Sequence, residues 1–454
     1  MKIINMTESS MTKREAIMLL PAITYDSFYY RQGRFKKERI EYKKKCILKQ
    51  KKDEIIFWTG LIPRLKEFSN KNNLGIEFPK IERVEGHKHP HLKGIQFRLD
   101  QLKLMKKAIV LQQGMIISAT GTGKTLLQLG IISAFPDRKW LILAHTVDLV
   151  KQTYEEIKKY DVNSVAIMTG QHVVSEIPHE NIVVSTVQTF KKFIKADSIL
   201  AFTGVIVDEA HHVNKQASVY SDVLSALKYT TIRLGFTATK HPTTEGQLVS
   251  EGLLGPIIGE FKINTAVDKK VLATPKIKIL KSPFNQRVKD TQSYQSVYQK
   301  GIVVNRQRNE LIKDEVKSNV ADNKSCLIMV NKIEHGELIS ELLNEYNIEN
   351  IFIHGSTDGQ ERDNIKELLM DKKLLCVIAT TIWKEGINIP SLDVIINAAG
   401  GKSEIAVFQA IGRGLRRTSE KGTVTIVDFF DPSHNYLIAH FGERFSLYCE
   451  NKWI

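Results

Sequence analysis

Short apolar runs separated by amphipathic stretches dominate the chain from Gly94 onward: MIISA, LILAHT, VAIM, IVVST, GVIVDEA and RLGFTAT. Runs of this length predict buried strands, and the segments between them predict helices that cover both faces of a parallel sheet. A less regular stretch containing Gly, Pro and Thr follows over about 240–300. A second series then begins with CLIMVN, NIFIHG, CVIAT, VIINAAG and TVTIVDF. One sheet holding all of these strands would exceed the usual domain size, so the pattern predicts two α/β domains in tandem.

Residues 1–93 have a different texture. Lys and Arg crowd from Arg31 to Lys52, beside Tyr25, Phe28, Tyr29, Tyr30 and Phe35. CILKQ and EIIFW flank the polar KKDE, which predicts a β-hairpin, and LIPRLKEFSN has helical spacing. A small basic α+β unit is expected here, with Phe57, Trp58 and Leu61 in its core. The two larger domains are expected over 94–265 and 266–454.

Composition narrows the class. The 454 residues exceed one ordinary core. A formal net charge of +15 favours a polyanionic partner, nucleic acid foremost. Cys46, Cys326, Cys376 and Cys449 are scattered without a C-x-x-C pair, which argues against a structural metal, a cluster or a disulfide framework and for a reduced, cytoplasmic setting. No apolar run approaches a membrane span, and AIMLLPAI is short and broken by Pro21, so neither a membrane partner nor export is expected.

Chemistry enters at SATGTGKT, residues 118–125, between the strand-like GMIIS and the helix-like TLLQLGIISAF. Strand, loop and helix is the context a phosphate-binding loop requires. Gly121 and Gly123, with Thr120 and Thr122 around them, let backbone N–H groups wrap phosphate oxygens; Lys124 supplies a point charge, and Thr125 a hydroxyl for Mg²⁺. Ser118 stands where the general pattern has glycine. The loop alone leaves a switch, a kinase and a motor open.

VIVDEAHH then places two carboxylates at the end of a buried strand, Asp208 to hold magnesium through its water shell and Glu209 to orient and deprotonate a water. Thr237 and Thr239 of GFTATK, together with His211, are candidates for coupling this site to the second domain. There, ATTIWKEGINIP and QAIGRGLRR supply Gln409, Arg413 and Arg416 at helical spacing, suited to clamping a γ-phosphate across a cleft. An arginine finger of this type is worth roughly 10³ to 10⁵ in turnover.

In this order SATGTGKT, DEAH, TAT, EGINIP and QAIGRGLR resemble the motifs of superfamily 2 helicases. The resemblance implies tandem RecA-like domains, ATP with Mg²⁺ as the fuel, and a monomeric motor. It makes Ser118 a family trait, gives Arg98 and Gln101 of FRLDQ to the adenine, and adds Gly386 and Asn388 to the nucleotide site. AHTVDLVKQ and VSTVQTF match first-domain motifs that touch a nucleic-acid backbone, with Thr186 and Gln188 as contacts. Lys332, His354, Gly355 and Thr380 occupy similar places in the second domain. Two departures stand out: Asn388 where many relatives carry aspartate, and Trp383-Lys384 in a loop that often holds smaller residues, where Trp383 suits base stacking and interdomain packing equally.

TYDSFYYRQGRF, FWTGLIPRLKEF and the closing DFFDPSHNYLIAHFGERFSLY resemble UvsW-type phage helicases. That resemblance implies a DNA-dependent ATPase acting on branched DNA such as forks, Holliday junctions and displacement loops in replication, recombination or repair. Lys43, Lys44 and Lys45 would then grip a duplex arm. An RNA helicase, and a translocating subunit of a larger DNA-processing complex, are the alternatives.

Overall fold

The structure, a computed structural model, describes all residues except 33–36, 87–88, 161–163, 172–174, 216–217, 290, 292, 381–391 and 402–421. Its amino-terminal strands are β1 (Lys2–Ile3), β2 (Glu8–Thr12), β3 (Thr24–Gln32), β4 (Lys37–Lys45), β5 (Lys49–Gln50) and β6 (Glu54–Trp58). An antiparallel sheet runs β1-β2-β6-β5, and β3 pairs with β4 as a separate two-stranded ribbon. The expected hairpin is present but short, because only Lys49 and Gln50 pair back onto β6. Thr12 and Glu15 form a reciprocal capping box that starts the helix Lys13–Leu19. Phe57, Trp58 and Leu61 are buried as their pattern predicts.

This amino-terminal sheet shares its core with the first large sheet: Phe57, Trp58 and Leu65 belong to one apolar cluster with Leu248, Val249 and Val205. The helix Thr244–Leu254 is the seam. A side chain at Gly60 would collide with the Glu251 and Gly252 carbonyls, so glycine there permits backbone-to-backbone approach. Polar ties flank it, with Arg64 Nη2 at 2.7 Å from Glu251 and the Tyr25 hydroxyl donating to Glu245 at 2.9 Å.

The first large sheet contains β7 (Gln113–Ser118), β8 (Lys139–Ala144), β9 (Val165–Met168), β10 (Ile182–Thr186), β11 (Phe202–Asp208), β12 (Ile232–Thr237) and β13 (Ile257–Phe261). Among the described residues its order is β13-β7-β12-β11-β8-β10-β9, and each pairing is parallel. Parallel strands are covered on both faces, which is why the sequence shows them as nearly continuous apolar runs. Arg233 is buried in β12 and donates to the carbonyls of Leu224, Leu227 and Leu253, closing the ends of two helices. Burial pushes its pKa down to about 9, and those carbonyls at the negative helix ends offset the cost.

The second large sheet contains β14 (Thr274–Lys281), β15 (Cys326–Met329), β16 (Ile351–Ile353), β17 (Cys376–Ala379), β18 (Val394–Ile396) and β19 (Thr423–Phe430). Its order is β14-β19-β18-β15-β17-β16, again parallel in each described pairing. Neither β13 nor β14 stands out in the hydropathy pattern. β14 reads TPKIKILK and among the described residues pairs with β19 alone; its lysines suit an edge that must not recruit another strand. The chain divides into two compact units, 1–118 with 123–261, and 262–454 with 119–122. These are two RecA-like parallel-sheet α/β domains, the first carrying the small antiparallel region. Among the described residues no helix is long and apolar enough to cross a membrane.

Candidate functional site

Because the strands of the first sheet run in parallel, their carboxyl ends share one edge, and the sheet order brings distant motifs together there. β7 ends at the phosphate-binding loop, β11 at Asp208, β12 at Thr237, β8 just before His145 and β10 at Thr186. Gly121 (φ 81°) and Gly123 (φ 91°) both adopt left-handed backbone, as such a loop demands of glycine. Thr122 donates from Oγ1 to the Ala119 carbonyl at 2.6 Å, and Thr120 lies in the same turn. Gly123 immediately precedes the helix Lys124–Ile132, so Lys124 and Thr125 form its first turn. Backbone N–H groups at such a helix start favour an anion.

Lys124 and Glu209 meet directly, Nζ to Oε1 at 2.7 Å, although 85 positions separate them. Glu209 is nearly buried and holds a left-handed backbone (φ 50°), a conformation that costs a non-glycine residue energy and clusters at functional sites. Burial raises the pKa of Glu209, but the Lys124 charge and the His211 hydrogen bond overcome it and hold the carboxyl well below the usual range. For Asp208 desolvation prevails over the pull of Lys124 and pushes its pKa up to about 6. Gln128, one turn along the helix from Lys124, donates to Asp208 Oδ1 at 3.4 Å. Motif spacing did not single out Gln128; its signal is the i+4 position relative to Lys124 on the same helix.

His211 joins the next pair of motifs, with Nδ1 at 3.4 Å from Glu209 Oε2 and at 3.1 Å from Thr237 Oγ1. Thr237 Oγ1 donates in turn to the Thr239 carbonyl at 3.0 Å. Gln101 is buried on the helix Leu99–Leu111, and a Cβ at Gly123 would lie 2.9 Å from its Nε2, so the side chain abuts the phosphate-binding loop. Arg98 caps that helix, pairs with Asp100 at 3.0 Å and lies over the Phe261 ring. The donor set fits a magnesium nucleotide: glycines that accept the required backbone, an ammonium, a hydroxyl at Thr125 and a desolvated carboxylate that gains from a divalent cation.

The residues expected at a nucleic-acid backbone fall at the same strand ends. Thr186 is buried and its hydroxyl is engaged with Thr189, capping the turn Val187–Phe190, whereas Gln188 is exposed. In the second unit Lys332, His354, Gly355 and Thr380 follow β15, β16 and β17, three adjacent strands. Gly355 has open space around its Cβ position, while Thr380 is buried and donates its backbone N–H to Ile353. On β4, Lys43 and Lys45 are exposed, but Lys44 turns inward to Glu245 at 3.5 Å, following strand alternation. Trp383, Lys384, Gly386, Asn388, Gln409, Arg413 and Arg416 lie outside the described residues.

Residues 94–241 match the family model described as type III restriction enzyme, res subunit, and residues 307–418 match the helicase conserved C-terminal domain. The chain is 24% identical over 433 residues to putative helicase 22 of Sulfolobus islandicus filamentous virus, covering 88% of this chain and 74% of that protein. It is also 24% identical to the ATP-dependent DNA helicase uvsW of Enterobacteria phage T4, covering 74% and 71%. Among solved structures it resembles the ATP-dependent type ISP restriction-modification enzyme LlaBIII bound to DNA, with a TM-score of 0.57 at 18% identity over 77% of this chain and 29% of that one.

Proposed function

The chain belongs to the ATP-hydrolysing superfamily 2 helicases, and from that premise we propose that it is a DNA translocase that unwinds or branch-migrates branched DNA. The observation that carries the reading is the meeting of Lys124 and Glu209 beside Asp208, with His211 tying that pair to Thr237. Coverage of about three quarters of this chain and of the phage T4 uvsW helicase supports DNA as the partner.

In the proposed cycle, Gly121, Gly123 and the helix start bind the phosphates through backbone N–H groups, and Lys124 leaves Glu209 to reach the outer phosphates. Glu209, once released, orients the attacking water and accepts its proton. Magnesium, when bound, neutralises phosphate charge; Thr125 and Asp208 are the residues that would hold it. Gln101 and Arg98 flank the base. Arg413 and Arg416 supply the finger cations, with Gln409 beside them. Gly386 and Asn388 complete the nucleotide set, and Lys332, His354, Gly355, Thr380, Gln188 and Thr186 follow the strand backbone. The ribbon of β3 and β4 moves with the first motor sheet, because Tyr25 and Lys44 both engage Glu245. Exposed Lys43 and Lys45 give that ribbon a sequence-independent hold on a duplex arm.

The test is ATP hydrolysis by the purified chain with a four-way junction, linear duplex, single-stranded DNA or structured RNA. The junction is expected to stimulate most, with strand exchange by the chain alone. Stronger stimulation by RNA would assign it to RNA remodelling instead, and hydrolysis without any strand movement would make it a translocating subunit.

A further inference from the structure

We propose that His212, the second histidine of VDEAHH, is a positioning residue that relays the state of the phosphate-site carboxylate to the loop following β8. The inference rests on the nucleic-acid motor reading above and concerns how that motor senses its track. Its basis is a continuous run of contacts. Lys124 touches Glu209 at 2.7 Å, and Glu209 and His211 approach to 3.4 Å. The rings of His211 and His212 lie 4.3 Å apart, tilted by 36°. His212 then stacks on His145, with ring centroids 4.1 Å apart and planes only 12° from parallel. His145 is followed by Thr146, whose hydroxyl accepts the Leu149 N–H and starts the helix Val147–Lys158.

The turn that carries His212 is tied to the carboxylate as well as near it. Its backbone N–H donates to the Glu209 carbonyl at 3.0 Å, and Ala210–His212 form a single tight turn. Glu209 enters that turn in left-handed backbone, so a change in its side-chain partner bears on a strained hinge rather than on a relaxed strand. β11 and β8 are hydrogen-bonded neighbours, with Val207 opposite Leu143, which places the two histidine-bearing ends side by side. Parallel imidazole rings transmit a displacement perpendicular to their planes while resisting tilt, which a flexible aliphatic contact does not. AHTVDLVKQ, which begins at the end of β8, is one of the segments whose resemblance implied contact with a nucleic-acid backbone. The stack therefore joins the nucleotide end of one strand to the nucleic-acid end of its neighbour.

The experiment compares the unaltered chain with His212→Ala, His212→Leu and His212→Phe, measuring ATP turnover with and without a single-stranded oligonucleotide. In His212→Ala and His212→Leu, turnover without DNA is expected to stay within about two-fold, while the DNA-stimulated rate falls about three- to ten-fold, the range that loss of a ring stack supports. The oligonucleotide concentration at half-stimulation should not change, since the relay lies behind the contact surface. His212→Phe, which keeps a flat ring, should retain stimulation. His212→Leu retains bulk, so it carries the comparison if the alanine variant does not fold. Full stimulation in His212→Leu, or equal losses in His212→Leu and His212→Phe, would overturn the relay. Absence of DNA stimulation in the unaltered chain would instead remove the motor reading on which it rests.

Discussion

Buried charge is used differently at two places, the network after β18 in the second large domain and the edge of the glycine-rich loop in the first. In the second, Arg444 donates to both oxygens of Asp428 at 2.7 and 3.0 Å and to the carbonyls of Gly400 and Gly401, and the Tyr448 hydroxyl donates to Asp428 as well. Arg308 spans Asp431 and the Ala398 carbonyl, and the Tyr298 hydroxyl reaches Ala399. Four successive carbonyls after β18 are thus held by buried side chains. In the first domain an ammonium meets a carboxylate at 2.7 Å on the edge of a glycine-rich loop. A guanidinium fork with fixed geometry suits a permanent clamp, whereas a point charge on a flexible stem can exchange one anion for another. The contrast separates charges that hold the fold from charges poised at the candidate site.

The largest expected effect comes from Glu209→Gln. Turnover should fall by about 10² to 10⁴, the contribution of a positioned base, while nucleotide still binds; loss of the partner of Lys124 also lowers the thermal midpoint. Rapid turnover would erase the distinction between the candidate site and the network that holds the fold.

Next is Arg444→Met, which leaves Asp428 buried without its cation and should cost about 3–5 kcal/mol in denaturant unfolding. Adding Asp428→Asn should recover part of that loss, because the uncompensated charge is then gone. A midpoint unchanged by Arg444→Met would mean that the second network is not a clamp.

The smallest effect is expected at the seam. Arg64 is partly exposed, so solvent screens its pair with Glu251, and Arg64→Met should cost only about 1 kcal/mol. Its signature is in pH. Burial already raises the Glu251 pKa above 4.5 despite the opposing pull of Arg64, and losing Arg64 raises it further. A carboxyl with a raised folded-state pKa contributes stability that is complete below its unfolded value and is lost as pH rises through the folded one. The deficit of Arg64→Met relative to the unaltered chain should therefore be small in acid and grow as pH rises through the raised Glu251 pKa, as melting curves across pH would reveal.

How much was visible beforehand follows from the same physics. Strands β7, β8, β10 and β11 are covered on both faces, so their apolar runs are conspicuous. β14 lies at an edge, where lysine alternates with apolar side chains and the run disappears. Motif order makes Lys124, Asp208, Glu209, His211 and Thr237 candidates because phosphate chemistry restricts which residue types can serve, and the fold brings them together. Strand alternation sets Lys44 on the opposite face from Lys43 and Lys45, and the packing of the β3–β4 ribbon against the helix Thr244–Leu254 supplies Glu245 as its partner. The stack of His212 on His145 has no local signature at all.

By itself the sequence determined the parallel α/β class, the phosphate-binding loop and the acidic pair, since each depends on periodicity or residue type within a few positions. The tertiary structure alone decided which of these residues touch. In a parallel sheet, neighbours are set by crossover connections rather than by distance along the chain, so β11 lies beside β8, and His212 meets His145 across 67 positions, through long-range packing that no local stretch encodes.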